Sequence, residues 1–118
     1  MDDPRSSVDA AFNPDEALAI VGGDKDLFLE LVQTFRENCA HELSSIRHAI
    51  CLRDPEDLRR ASHHFKGTLG ALAAGPACHT AALLEATGCR AEFSEAESIY
   101  AEMERQVRLL DAALSNWG

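Results

Sequence analysis

Apolar residues recur along this chain at steps of three and four, in separate stretches bounded by cap and break signals. Phe28, Leu31, Phe35, Cys39, Leu43, Ile46 and Ile50 make one stripe lasting about seven turns. Leu58, Ala61, Phe65, Leu69 and Leu72 make a second. Near the end, Phe93, Tyr100, Val107 and Leu114 fall seven apart, as do Ala96, Met103, Leu110 and Trp117. A strict seven-residue repeat marks near-parallel packing against neighbouring helices.

The boundaries between stripes are equally regular. Asn13-Pro14-Asp15-Glu16 places a cap, a first-turn proline and a glutamate at N3, opening a short helix that ends before Gly22-Gly23. Asp24 caps the second helix, and Asp54-Pro55-Glu56-Asp57 repeats the cap-and-proline signature for the third. Gly75-Pro76 starts an alanine-rich fourth helix that ends near Gly88, and a fifth runs from about Glu92 to Asn116. No stretch alternates apolar and polar residues as a strand would. The pattern predicts an all-α fold, an antiparallel four-helix bundle with a short N-terminal helix, over residues 13–118. Residues 1–12 show no period and are expected to form a flexible leader.

Composition narrows the class. A length of 118 residues suits one domain, and 46% apolar with 26% charged residues is ordinary for a soluble protein. Twenty acidic residues against eleven basic ones give a net charge of -9, which argues against a nucleic-acid partner. No apolar run approaches the ~20 residues of a membrane span, and the acidic opening lacks the order of an export signal. A cytoplasmic setting is therefore expected, with Cys39, Cys51, Cys78 and Cys89 reduced. No CxxC pair is present to nucleate zinc, and no histidine is preceded at the third position by a glutamate, as a di-iron bundle would require. No GxxxxGK[ST] or GxGxxG loop is present to hold a nucleotide.

The third helix carries the candidate chemistry. With about 100° per residue, His63 points roughly 160° from the Leu58–Leu72 stripe, into solvent. Gly67 points the same way, with Gly70, Ala71 and Ala74 within about a quarter-turn, while His64 and Lys66 flank the stripe at roughly 100°. Two glycines inside a helix each destabilise it by about 1 kcal/mol relative to alanine. Facing away from the core, they serve access: a second molecule can approach the backbone and the imidazole. Lys66, one turn beyond His63, can oppose protonation of the ring and then pair with a phosphoryl group held on it. An exposed nucleophile beside one cation is a sufficient local kit for phosphoryl transfer.

His63-His64-Phe65-Lys66-Gly67-Thr68 resembles the HxLKGS signature of histidine-containing phosphotransfer (HPt) domains of multistep two-component signalling. Phe12 to Phe28 is similar to that family's opening helix and GGD turn, and Cys78 through Glu85 to a later stretch of it. Phe65 stands where leucine is commoner, and Ala73 where the family often has a second glycine. The resemblance implies a relay that accepts a phosphoryl group from a receiver-domain aspartate and passes it to, or drains it from, a response regulator. It is a stoichiometric carrier rather than an enzyme. His63 would be the phosphoacceptor, Lys66 the stabilising cation and Gly67 the opening for the partner. Arg60, His64, Gly70, Ala71 and Ala74 would border the docking surface, with His64 less exposed than His63. The expected partners are receiver domains of response regulators or of a hybrid sensor kinase. No cofactor is expected on this chain, with Mg2+ confined to the partner, and a monomer is expected. The methionine start and the leader favour a free-standing relay over a domain of a larger kinase. The competing reading is a helical adaptor without chemistry, which leaves Gly67, Gly70 and the upright His63 as coincidences.

Overall fold

The computed structural model describes residues 11–116, which form five helices and no strand: α1 (Pro14–Ile20), α2 (Lys25–Leu52), α3 (Pro55–Ala71), α4 (Gly75–Arg90) and α5 (Ala96–Asn116). The expected caps are in place. The side chains of Asn13, Asp24 and Asp54 each accept from the amide three residues on, at 3.0–3.1 Å. Gly22 and Gly23 take the left-handed conformation (φ 66° and 82°) that ends α1. The last helix begins at Ala96 rather than near Glu92, because Phe93–Ala96 closes as a turn (Ala96 N to Phe93 O, 3.1 Å).

Short connections make consecutive helices antiparallel, and α2–α5 pack in a ring in which each meets its two neighbours. The core joins Phe28, Phe35, Ile46, Leu58, Phe65, Leu69, Leu84, Met103 and Leu110, all at most 2% exposed. Phe35 of α2 stacks on Phe65 of α3, with ring centroids 6.4 Å apart. Polar contacts clamp the rim of α2 to α5: Arg36 Nε donates to Asp111 (3.1 Å), and Arg47 pairs with Glu97. Trp117 lies outside the described residues, as do residues 1–10 of the expected leader. Ala11 and Phe12 do not belong to a loose segment. Both are buried, and Phe12 stacks on Phe28 with centroids 6.2 Å apart.

The closest approach is between α3 and α4. A Cβ on Gly88 would lie 2.6 Å from the Arg59 nitrogen and 2.8 Å from the Pro55 oxygen, so only glycine fits where the backbones meet. This tight seam turns the buried face of α3. Ser62 is fully enclosed while Ala61 is only half-buried, which moves the core direction about 20° toward α4 from the direction the apolar stripe alone gives. Among the described residues Ser62 Oγ has no hydrogen-bond partner.

Three helix ends depart from the glycine pattern. Arg53, Ala73 and Ala91 take left-handed φ values of 53–55°, a conformation that costs an L residue about 1–2 kcal/mol. Because α3 ends at Ala71, Ala74 leaves the helix, caps α4 and is fully buried. The helical-wheel placement of Ala74 on a docking surface is thereby corrected: the wheel assumed a helix that has already stopped.

Candidate functional site

Midway along α3 the outward face carries His63, His64, Gly67 and Gly70, all exposed. The Asp54 cap and Pro55 fix the start of this helix, and Phe65 and Leu69 anchor its inner side, so the histidines project from rigid backbone. His63 has a side chain 64% exposed, and His64, at 75%, is the more open of the two. That reverses the order expected from the sequence. With the core direction turned toward α4, the two rings stand almost symmetrically about the outward axis, and α4 shields His63 more than α2 shields His64.

Each ring has its own carboxylate. His63 Nδ1 lies 2.9 Å from Glu85 Oε2 of α4, and Lys66 Nζ donates to the other oxygen of the same carboxylate at 2.5 Å. His64 Nδ1 pairs with Glu42 of α2, a residue that is itself buried. Glu85, 19% exposed at its side chain, is held below the usual carboxylate range by the Lys66 ammonium and, after the opposing effect of burial, by His63. An ionised carboxylate only accepts hydrogen bonds. Nδ1 of His63 is therefore the nitrogen that carries hydrogen, and in the neutral ring the Nε2 lone pair is unengaged and directed away from α4.

Glu85 changes the expected role of Lys66. The ammonium is paired, so its influence on the ring is opposed by the carboxylate between them. The sequence carried a signal for this residue: Glu85 is the only carboxylate between Asp57 and Glu92 in a chain with twenty. A lone acid on an alanine-rich helix, among small residues that bring the helix close, is placed to meet something specific.

The surroundings divide into two grooves separated by His64. Toward the α1 end, Leu31, Thr34 and Phe35 of α2 face Gly67, Thr68, Ala71 and Leu72. Toward the other end, His41, Glu42, Ser45 and His48 face Asp57, Arg60 and Ala61. A Cβ on Gly67 would meet nothing within 4 Å, and one on Gly70 would make ordinary contact with Cys78 Sγ at 3.9 Å. Gly67 and Ala71 thus border one groove and Arg60 the other, while Gly70 lies on the α4 side. Cys78, half-buried, donates to the Lys66 carbonyl at 3.5 Å. All four cysteines are unpaired, and burial followed by the Glu42 and Asp111 charges pushes the Cys39 thiol up to about 11. Among the described residues no group of three or more His, Cys, Asp or Glu side chains is arranged to hold a metal ion, and no helix is long and apolar enough to cross a membrane.

The family model of the Hpt domain matches residues 30–116, nearly the whole bundle. The chain belongs to the Hpt domain family. Hpt domains are phosphotransfer carriers of two-component signalling that work with receiver domains, and this chain shares that histidine phosphotransfer role. The matched span starts after Phe28, so the similarity of the opening helix and its GGD turn lies outside it. No curated protein and no solved structure gives a significant match to the chain.

Proposed function

We propose that His63 is the phosphoacceptor, and that this Hpt domain shuttles a phosphoryl group between receiver-domain aspartates as a stoichiometric intermediate. The observation that carries the reading is the Glu85 carboxylate, which accepts a hydrogen bond from Nδ1–H of His63 and leaves Nε2 as an exposed nucleophile on a rigid helix. Nε2 attacks the phosphorus of the partner's aspartyl phosphate. The N–P bond forms, the acyl P–O bond breaks, and the aspartate leaves as a carboxylate. No proton need be removed: the ring keeps its Nδ1 hydrogen and gains formal positive charge facing Glu85, and the reverse step returns the phosphoryl group.

Lys66 exchanges its Glu85 oxygen for the phosphoryl oxygens once the group is on Nε2. The open space over Gly67 lets the partner approach, with the half-buried Leu31 and Ala71 of the neighbouring groove as apolar support for docking. Arg60 and His64 border the same contact face. The metal that receiver chemistry uses is expected from the partner, and a monomeric cytoplasmic relay fits this role.

The test is transfer from a phosphorylated receiver domain. The label on this chain should be acid-labile and alkali-stable, vanish in His63→Gln and survive in His64→Gln. The reverse pattern would move the acceptor to the second imidazole. Lys66→Ala should slow transfer or shorten the label's lifetime while leaving the helical signal unchanged.

A further inference from the structure

Glu42 of α2 has no part in the chemistry at His63, yet it is the only charged side chain buried among the described residues. Its side chain is 10% exposed. Taking a carboxylate out of water is costly unless a partner compensates. The partner is Nδ1 of His64, and among the described residues no other side chain bonds or pairs with Glu42. Arg60, the cation that lines the same groove, is paired with Asp57 instead.

The fold draws little from this pair. The His64 side chain is 75% exposed, and an ion pair open to water on one side adds little stability. A carboxylate is thus buried for the sake of a ring that is not. With Nδ1 held from below, the ring nitrogen left outward is Nε2. His64 also lines both grooves beside α3, one with Leu31 and Gly67 and the other with His48 and Arg60, so it forms the ridge between them. It adjoins His63 in the chain and precedes Gly67 by one turn. A body that covers the bare backbone at Gly67 to reach His63 therefore meets this ridge.

We infer that Glu42 is a positioning residue: it holds the His64 imidazole upright with Nε2 presented to the receiver domain, and sets how tightly that domain docks rather than how fast the phosphoryl group moves. The inference rests on the relay reading and adds a residue of α2 to it. Two carboxylates, one from each helix beside α3, then divide the work on its outward face. Glu85 orients the ring that reacts, and Glu42 orients the ring that grips. A free side chain would lose rotamer freedom on docking, whereas an anchored one has lost it already. What Nε2 meets is a hydrogen-bonding group on the receiver surface, and the gain is that of one bond made by a preorganised ring.

The test uses the full chain and a phosphorylated receiver domain, with single-turnover transfer followed as the receiver concentration is raised. Glu42→Leu should keep the helical signal and lose no stability, because the partner it abandons stands in water. It should raise the half-saturating receiver concentration about threefold to tenfold, the worth of one hydrogen bond, and leave the rate at saturation unchanged. Glu42→Gln keeps an oxygen for Nδ1 and should stay within about twofold of the wild type. Added to His64→Ala, Glu42→Leu should have no further effect on docking. Imidazole nitrogen NMR gives a readout that needs no receiver: the neutral His64 ring should carry its hydrogen on Nδ1, and lose that preference in Glu42→Leu. The inference is overturned if Glu42→Leu leaves the half-saturating concentration or the ring tautomer unchanged, or lowers the saturated rate. It is equally overturned if the docking loss persists in the His64→Ala background, if Glu42→Gln loses as much as Glu42→Leu, or if the helical signal is lost, which would make the carboxylate a requirement of the fold. Any of these with intact wild-type transfer removes the role of Glu42 alone, whereas absent wild-type transfer removes the relay reading and this inference with it.

Discussion

Two glycines, Gly67 and Gly88, sit inside helices on opposite sides of α3, and they are there for opposite reasons. Gly88 faces inward, where a single methyl group would run into the backbone of Pro55 and Arg59. Gly67 faces outward, where a methyl group would meet nothing. The first glycine is demanded by the fold, since it lets α4 approach α3 closely enough for Glu85 to reach both His63 and Lys66. The second is of no use to the fold, whose stability it lowers. What it leaves is a bare surface beside the exposed His63. A glycine that weakens an element without relieving any contact points to something outside the molecule.

The contrast can be broken most forcefully at Gly88. Gly88→Ala should destabilise the bundle by about 3 kcal/mol, because the clash is with backbone and the helices must separate. The loss should appear in the denaturant midpoint, and phosphotransfer should decline with it as Glu85 withdraws from His63. Unchanged stability would mean that the seam is looser than described. Gly67→Ala should do the reverse, raising stability by up to about 1 kcal/mol through helix propensity while slowing transfer from a receiver domain. A gain in stability with full transfer would show that the bare surface is not used for docking. At Glu85 the effect is smaller and depends on pH. Its carboxyl titrates lower in the folded chain than in the unfolded one, so the stability it confers is complete above the ordinary carboxylate range. That contribution is lost as the pH falls through the folded value. The stability difference between the wild type and Glu85→Gln should accordingly be present at neutral pH and shrink on acidification. A difference that stays constant with pH would mean that the Lys66–Glu85 pair adds nothing.

Much of this arrangement is legible in the sequence, and the misses have physical causes. The caps at Asn13, Asp24 and Asp54 could be read because a short polar side chain before a helix has one dominant use, and all three accept as expected. The outward projection of His63 followed from periodicity alone. The ends of α2, α3 and α4 were harder, since Arg53, Ala73 and Ala91 adopt left-handed backbone with no glycine to announce it. At Ala73 the family's frequent glycine was the one available hint, and the alanine pays the conformational cost in its place. Helical wheels failed at Ala74 and misjudged His64, because a wheel knows neither where a helix stops nor how close each neighbour comes. Glu85 was missed because pairing between α3 and α4 is a tertiary fact, although its isolation among apolar and small residues was visible.

The main-chain link from Asn13 N to Ala73 O (3.0 Å), together with the Phe12–Phe28 stack, has a practical consequence. The stretch shared with the family begins at residue 30, yet Phe28 is completely enclosed and the turn that terminates α3 is fastened from position 13. A fragment trimmed to the shared stretch would open a hole lined with aromatic surface and release that turn. The unit that folds is longer than the unit that is recognised, and excision or grafting of this domain should begin ahead of Ala11.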